Sequence, residues 1–242
     1  MRIASAATDR RLDLPSLYAL KVLREHGDAF AHARSIAGEA GAGTLVWVGR
    51  YDVAEFAVVL EPEEPLRLSR PVFYACMNAL ADTIASLAPP ETPLSFEWPD
   101  ALRLDAGLLG GGRIGWPEGT PEDETPEWLV FGAMLRVSAP PDREPGEWKR
   151  GVTLEEQGFF GVGAADIIET FARNLMAALH DWGELGAPHE FARWLRRYPS
   201  KIPALTKIEA GGDLIGADGR RDFVAALAAP SWLDPERDEP WL

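Results

Sequence analysis

The chain has 242 residues, 46% of them hydrophobic, with a formal net charge of −14 and a single cysteine. This length suits one domain with a small appendage, and the apolar fraction suffices for a globular core. The acidity disfavours nucleic acid and anionic membranes as partners, because both demand clustered Lys and Arg, and the lone Cys76 excludes an internal disulfide framework and a Cys-rich zinc site.

Residues 1–27 are mixed, with Pro15 breaking any early helix, and no apolar run there has the length of a signal sequence or membrane span, so a cytoplasmic protein is expected. "DAFAHARSIAGEAGAG" starts at Asp28, a good N-cap, and stops among glycines 38 to 43, which predicts an Ala-rich helix. "TLVWV" (44–48) and "EFAVVL" (55–60) are β-branched and aromatic runs close enough to form a hairpin. In "SRPVFYACMNALADTIASL", Phe73, Cys76, Met77, Leu80, Ile84 and Leu87 recur at helical spacing, with Cys76 as a small buried hydrophobe. "LSFEW" (94–98), "ALRL" (101–104), "LLGGGRIGW" and "EWLVFGAMLRV" (127–137) read as strands, the third opened by glycine. An acidic, proline-bearing loop spans 117–127, and a long loop spans 140–158.

"ADIIETFARNLMAALHDWGELG" places Ile168, Phe171, Leu175, Leu179 and Trp182 on one face, an amphipathic helix ending at Gly183 or Gly186. "HEFARWLRRY" is a second helix, closed by Pro199 and Pro203. Residues 204–242 form a small β extension, with two short strands around an Asp-Gly turn and a last stretch, "PSWLDPERDEPWL", too rich in proline for regular structure. Strands cluster instead of alternating with helices. The fold class is therefore α+β, with a mixed, mostly antiparallel sheet covered on one side by helices.

Most chemical motifs are missing. His26, His32, His180 and His189 include no pair at a recognised metal spacing, so no metal site is expected. No serine sits in a Gly-x-Ser-x-Gly elbow. "GLLGGGRIG" lacks the Lys-Ser/Thr of a phosphate loop, and "GFFGVGAAD" follows no clear strand, so neither argues for nucleotide binding. One stretch does stand out. In "FEWPDALRLDAGLLGGGRIGW", Trp98, Pro99 and Asp100 form a turn, Gly110, Gly111 and Gly112 remove three consecutive side chains, and Arg113 offers a fork of donors for a carboxylate or phosphate. The pattern fits either a bulged hairpin or the wall of a ligand pocket.

This stretch resembles the Lys-Trp-Pro-Asn-Asp signature of biotin protein ligases, followed by strand, turn and Lys-x-x-Gly. "DAFAHARSIAGEAGAGTLVWVGR" looks like the ligase segment in which a helix leads into Gly-Thr-Leu/Val-Val, and "WLVFGAMLRV" resembles the ligase strand carrying Ile-Gly-Ile-Gly-x-Asn. The two helices after residue 163 resemble those that end the catalytic domain. The likeness covers about 28–198 and is greatest to the biotin/lipoate protein ligase-like branch, whose members carry a short C-terminal extension that the ending "ALAAPSWLDPERDEPWL" fits. It implies the α+β fold shared with class II aminoacyl-tRNA synthetases, a ligase-like domain over 1–203 and an extension over 204–242.

The departures from the family bear on activity. Family ligases hold the acyl-adenylate under a Gly-Arg-Gly-Arg-x-Gly-Arg loop, of which Gly49-Arg50 alone remains here. Glu97 replaces the leading lysine of the signature, Leu108 aligns with the lysine beyond the turn, and the Gly-Ile-Gly-x-Asn loop is missing after "LVFGAMLRV". Losing one preorganised charge contact costs about 10²–10³-fold in rate. The leading expectation is a ligase-fold protein without ordinary adenylate chemistry that binds a small carboxylic acid or a protein partner. Its ligand-binding candidates are Arg50, Trp98, Asp100, Gly110, Gly111, Gly112 and Arg113, with Trp47 and Trp116 as further apolar walls. An active ligase, using ATP with biotin or lipoate to acylate a carrier-domain lysine, is the alternative. A structural subunit of a larger assembly is the third.

Overall fold

A computed structural model describes residues 12–24, 27–139 and 150–241. In chain order, β1 (Ala19–Leu23) leads to α1 (Ala29–Ala40), the hairpin β2 (Thr44–Val48) and β3 (Val53–Leu60), the one-turn α2 (Leu66–Ser69) and α3 (Val72–Leu87). Four strands follow, β4 (Leu94–Glu97), β5 (Ala101–Leu104), β6 (Gly107–Gly115) and β7 (Leu129–Arg136), and then α4 (Ala164–Leu185) and α5 (Ala187–Leu195). The extension holds β8 (Lys207–Ile208), β9 (Leu214–Gly216), β10 (Gly219–Arg221), α6 (Phe223–Leu227), β11 (Leu233–Asp234) and β12 (Glu239–Pro240).

The main sheet has seven strands in the order β1-β2-β3-β7-β6-β5-β4. β1 runs parallel to β2 and every other ladder is antiparallel, so the sheet is mixed and mostly antiparallel. β1 is absent from the sequence reading of residues 1–27. Its lysine-bearing edge sequence "ALKVL" lacks clean alternation, and only pairing with β2 defines it.

Alternation along the strands gives the sheet two faces. Leu45, Trp47, Phe56, Val58, Phe131 and Leu135 point into the large core under α3 and α4. That core contains Phe73, Cys76, Met77, Leu80 and Ile84 of α3 and Ile168, Phe171 and Leu175 of α4, with the predicted Leu87, Leu179 and Trp182 partly buried against it, and Cys76 is fully buried. Val46, Val48, Ala57, Val59 and Val130 point the other way, onto Ala29, Ala33 and Ala37 of α1. Helices therefore cover both faces, not one. The small alanines let α1 lie close to the sheet, and this corrects the single-sided expectation.

The extension carries the predicted pair of strands around Asp218, as part of a three-stranded sheet β10-β9-β8. The final stretch is more ordered than its prolines suggested, because β11 and β12 pair antiparallel. The extension is anchored by Phe223 of α6 and by Trp232 of this final stretch, both fully buried.

Candidate functional site

The Trp98–Asp100 segment is the turn of the β4–β5 hairpin, and its Trp98–Pro99 bond is cis. Trp98 packs against the large core and donates its indole N–H to the Tyr74 hydroxyl at 2.9 Å, with Arg221 over its ring. Asp100 is buried. Its carboxylate accepts the backbone N–H of Ser231 at 3.0 Å and the Ser231 hydroxyl at 2.6 Å. Burial pushes its pKa up to about 6 despite these bonds from Ser231.

The three glycines of β6 do three different jobs. Gly110, at φ +149, absorbs a bulge where the register with β5 shifts, and a Cβ there would overlap the Met134 carbonyl. A Cβ on Gly112 would enter the large core, against Met77 and Phe131. A Cβ on Gly111 would enter the opposite face and overlap the Trp232 ring. Trp232 lies among Val53, Ala101, Leu108 and Met134 and donates its indole N–H to the Gly112 carbonyl at 3.0 Å. The extension thus occupies the space that the glycine run opens, and Leu108 forms part of its seat.

Beside Trp232, on the same face, lies a belt of charge. Arg50 donates two hydrogen bonds to Asp52, at 3.0 and 2.8 Å, and a third to Glu239 of the extension. Burial opposes the Arg50 charge, but the bonds to Asp52 and Glu239 outweigh it and raise its pKa. Arg136 is almost wholly buried and donates to Glu239 at 3.2 Å and to the Pro240 carbonyl at 2.9 Å. Burial lowers its pKa, with Glu239 acting against that. Glu239 therefore bridges two guanidiniums.

The N-terminus of α1 meets this belt. Asp28 caps the helix by accepting the Ala31 N–H at 2.9 Å, and also accepts from Arg113 at 2.7 Å. The Arg113 guanidinium lies over the Phe30 ring, 4.6 Å from its centroid. Glu55, 2% exposed, accepts the Ala29 N–H at 2.9 Å. Burial lifts the Glu55 pKa to about 7; the Ala29 bond opposes this and the neighbouring Asp28 charge adds to it. A helix N-terminus is a ready anion site. Here the chain's own Asp28 and Glu55 fill it.

Arg50, Asp100, Gly111 and Arg113 thus share one face with the extension, while Trp98 and Gly112 point into the helical core and Gly110 serves the bulge. Trp47 and Trp116 also pack with the large core, so they wall no pocket beside Arg50 or Arg113. Sequence reasoning missed Glu55, Arg136, Ser231, Trp232 and Glu239. Glu55 did carry a signal, as the one charge inside an otherwise apolar strand, where an ionisable group ends up buried and partnered.

Among the described residues, Asp181, His189 and Glu190 bring potential metal ligands within 4.8 Å of one another. Both Glu190 oxygens are already engaged, with Arg193 at 2.8 Å and Asn78 at 2.7 Å. His26 lies outside the described residues, as do 140–149 of the long loop. No described helix is long and apolar enough to cross a membrane.

A mixed sheet of this order, with α1 on one face and paired helices on the other, defines the biotin-ligase class of α+β folds. A profile of the biotin/lipoate A/B protein ligase family matches residues 14–196, and the chain belongs to that family. A biotin protein ligase-like protein of unknown function from Silicibacter sp. is 27% identical at a TM-score of 0.71, over 83% of this chain and 86% of that one. Biotin protein ligase from Aquifex aeolicus in complex with biotin and ATP is 15% identical at a TM-score of 0.61, over 84% of this chain and 94% of that one. Biotin protein ligase from Leishmania major in complex with biotin is 13% identical at 0.54, over 83% and 95%. At these lower identities the likeness is one of fold. No curated relative matches the chain.

Proposed function

We propose that this member of the family lacks ordinary adenylate-forming catalysis and serves to bind a small carboxylic acid at the charged belt, in exchange for Glu239. The observation that carries the reading is the bridge of Glu239 between Arg50 and Arg136, beside a Trp232 ring seated on Gly111. Joining a carboxylic acid to a nucleotide triphosphate gathers several negative charges, which Lys, Arg, Mg²⁺ or backbone dipoles must neutralise. On this face Arg50, Arg113 and Arg136 are each committed to carboxylates of the chain, and the α1 N-terminus is capped by Asp28 and Glu55. One incoming carboxylate matches the place Glu239 holds. A triphosphate meets Asp28, Asp52 and Glu239.

The alternative, an active ligase that acylates a carrier-domain lysine with biotin or lipoate and ATP, rests on family membership. Mass spectrometry and thermal shift of the purified protein with biotin, lipoate, octanoate and ATP, singly and mixed, separate the two. The proposal expects a stabilising acid that binds without ATP and binds more weakly after Arg50→Ala. Formation of an acyl-adenylate defeats it, and so does indifference to every acid.

A further inference from the structure

A cavity lies away from the charged belt, where α4 crosses the ends of β3 and β7. It measures about 860 Å³, within the range of small-molecule sites. Its floor is apolar, with Val58, Leu60, Leu129, Leu175 and Leu179 from the sheet and α4. Tyr18 closes one wall and is held there by a 2.9 Å hydrogen bond from its hydroxyl to the Ala172 carbonyl. Leu17 and Met176 are exposed at the mouth.

The charge of the lining is one-sided. Glu61, Glu63 and Glu64 stand at the rim, and none of the described residues lining the cavity is Lys, Arg or His. Glu61 is fixed in place by accepting the Ala42 N–H at 3.1 Å. The C-terminal end of α4 and the N-terminal end of α5 meet at Gly186 on the wall, so their opposite helix dipoles offset one another and the glutamates set the sign of the charge. Aromatic faces favour a cation, and Trp182 and Tyr18 both line the cavity.

We propose that this cavity is a binding site for a small cationic amphiphile, an alkyl or aryl chain bearing an amine or quaternary ammonium head. The chain lies on the leucine floor and the head meets the three glutamates. This ligand class is opposite in charge to the acid proposed for the belt, so the two sites are separable by one pair of probes.

Calorimetry of the full chain with dodecyltrimethylammonium and with dodecanoate, both below their micelle thresholds, tests the assignment. Far-UV circular dichroism is recorded alongside to verify that the fold persists. The expected result is saturable one-to-one binding of the ammonium, at least about tenfold tighter than the carboxylate binding that remains in Arg50→Ala, where the belt is weakened. Met176→Arg, at an exposed position, abolishes that binding. Changing Glu61, Glu63 and Glu64 together to Gln weakens it several-fold and erases the preference for the cation. Equal affinity for the two probes on the Arg50→Ala chain overturns the proposal, as does unaltered binding of the ammonium by Met176→Arg, multi-site binding with loss of structure, or no binding of the ammonium.

Discussion

At the scale of single residues, Glu55 and Asp100 are carboxylates on the belt face that burial holds protonated to unusually high pH. A folded-state pKa raised above the unfolded value makes the folded state the better proton binder. Stability from that source is complete below the unfolded pKa and lost as pH rises through the folded one. For Glu55 the window runs from 4.5 to about 7, and for Asp100 from 3.8 to about 6. Stability measured by urea unfolding should therefore fall between roughly pH 4 and 7, with Glu55 responsible for about 3 kcal/mol. Glu55→Gln keeps an oxygen for the Ala29 N–H and removes the charge, so its profile should be flatter and its stability at pH 8 higher than wild type. A mutant profile that parallels wild type contradicts the assignment. Gly111 supplies a second residue-level test. Gly111→Ala drives a methyl into Trp232 and the Asp100 carbonyl, and overpacking of this kind costs about 1–3 kcal/mol. An unchanged unfolding midpoint would show that the extension is not seated there in solution.

At the scale of elements, legibility tracked the strength of local pattern. α3 and α4 announce themselves through apolar spacing that feeds the large core, and β2, β3 and β7 through continuous β-branched and aromatic runs, because those strands are buried on both faces. β1 was hidden, since its order comes from a parallel ladder to β2 and not from its own alternation. The end of the chain was hidden for a related reason. Its prolines and charges argue against regular structure, yet two residues of β11, two of β12 and one Trp ring suffice once a glycine-lined seat exists elsewhere in the chain. The turn at Trp98, Pro99 and Asp100 and the bulge at Gly110 could be read from composition, but the partner of Asp100 could not, because Ser231 is 131 residues away. The seat makes a direct prediction. Trp232→Ala removes a fully buried ring and its hydrogen bond to Gly112, so it should cost about 3–5 kcal/mol or free the extension to protease attack. Urea unfolding with limited trypsin digestion reads both. A variant as stable and as resistant as wild type would mean that the extension contributes no anchoring.

At the scale of the whole molecule, family membership and charge distribution pull apart. The chain shares the fold of proteins crystallised with biotin and ATP, but it carries a net −14 and commits Arg50, Arg113 and Arg136 to its own carboxylates. The proposed loss of adenylation follows from that balance, and from Leu108 standing in the seat of Trp232 where the family's pattern has a lysine. Pyrophosphate release tests it most directly, with ATP, Mg²⁺ and each of biotin, lipoate and octanoate, on the full chain and on a chain ended after residue 229. No turnover is predicted from either protein, because the proposal holds that the chemistry is lost and not merely covered. Measurable turnover that Arg113→Ala abolishes, or turnover that appears when the extension is removed, would contradict the account.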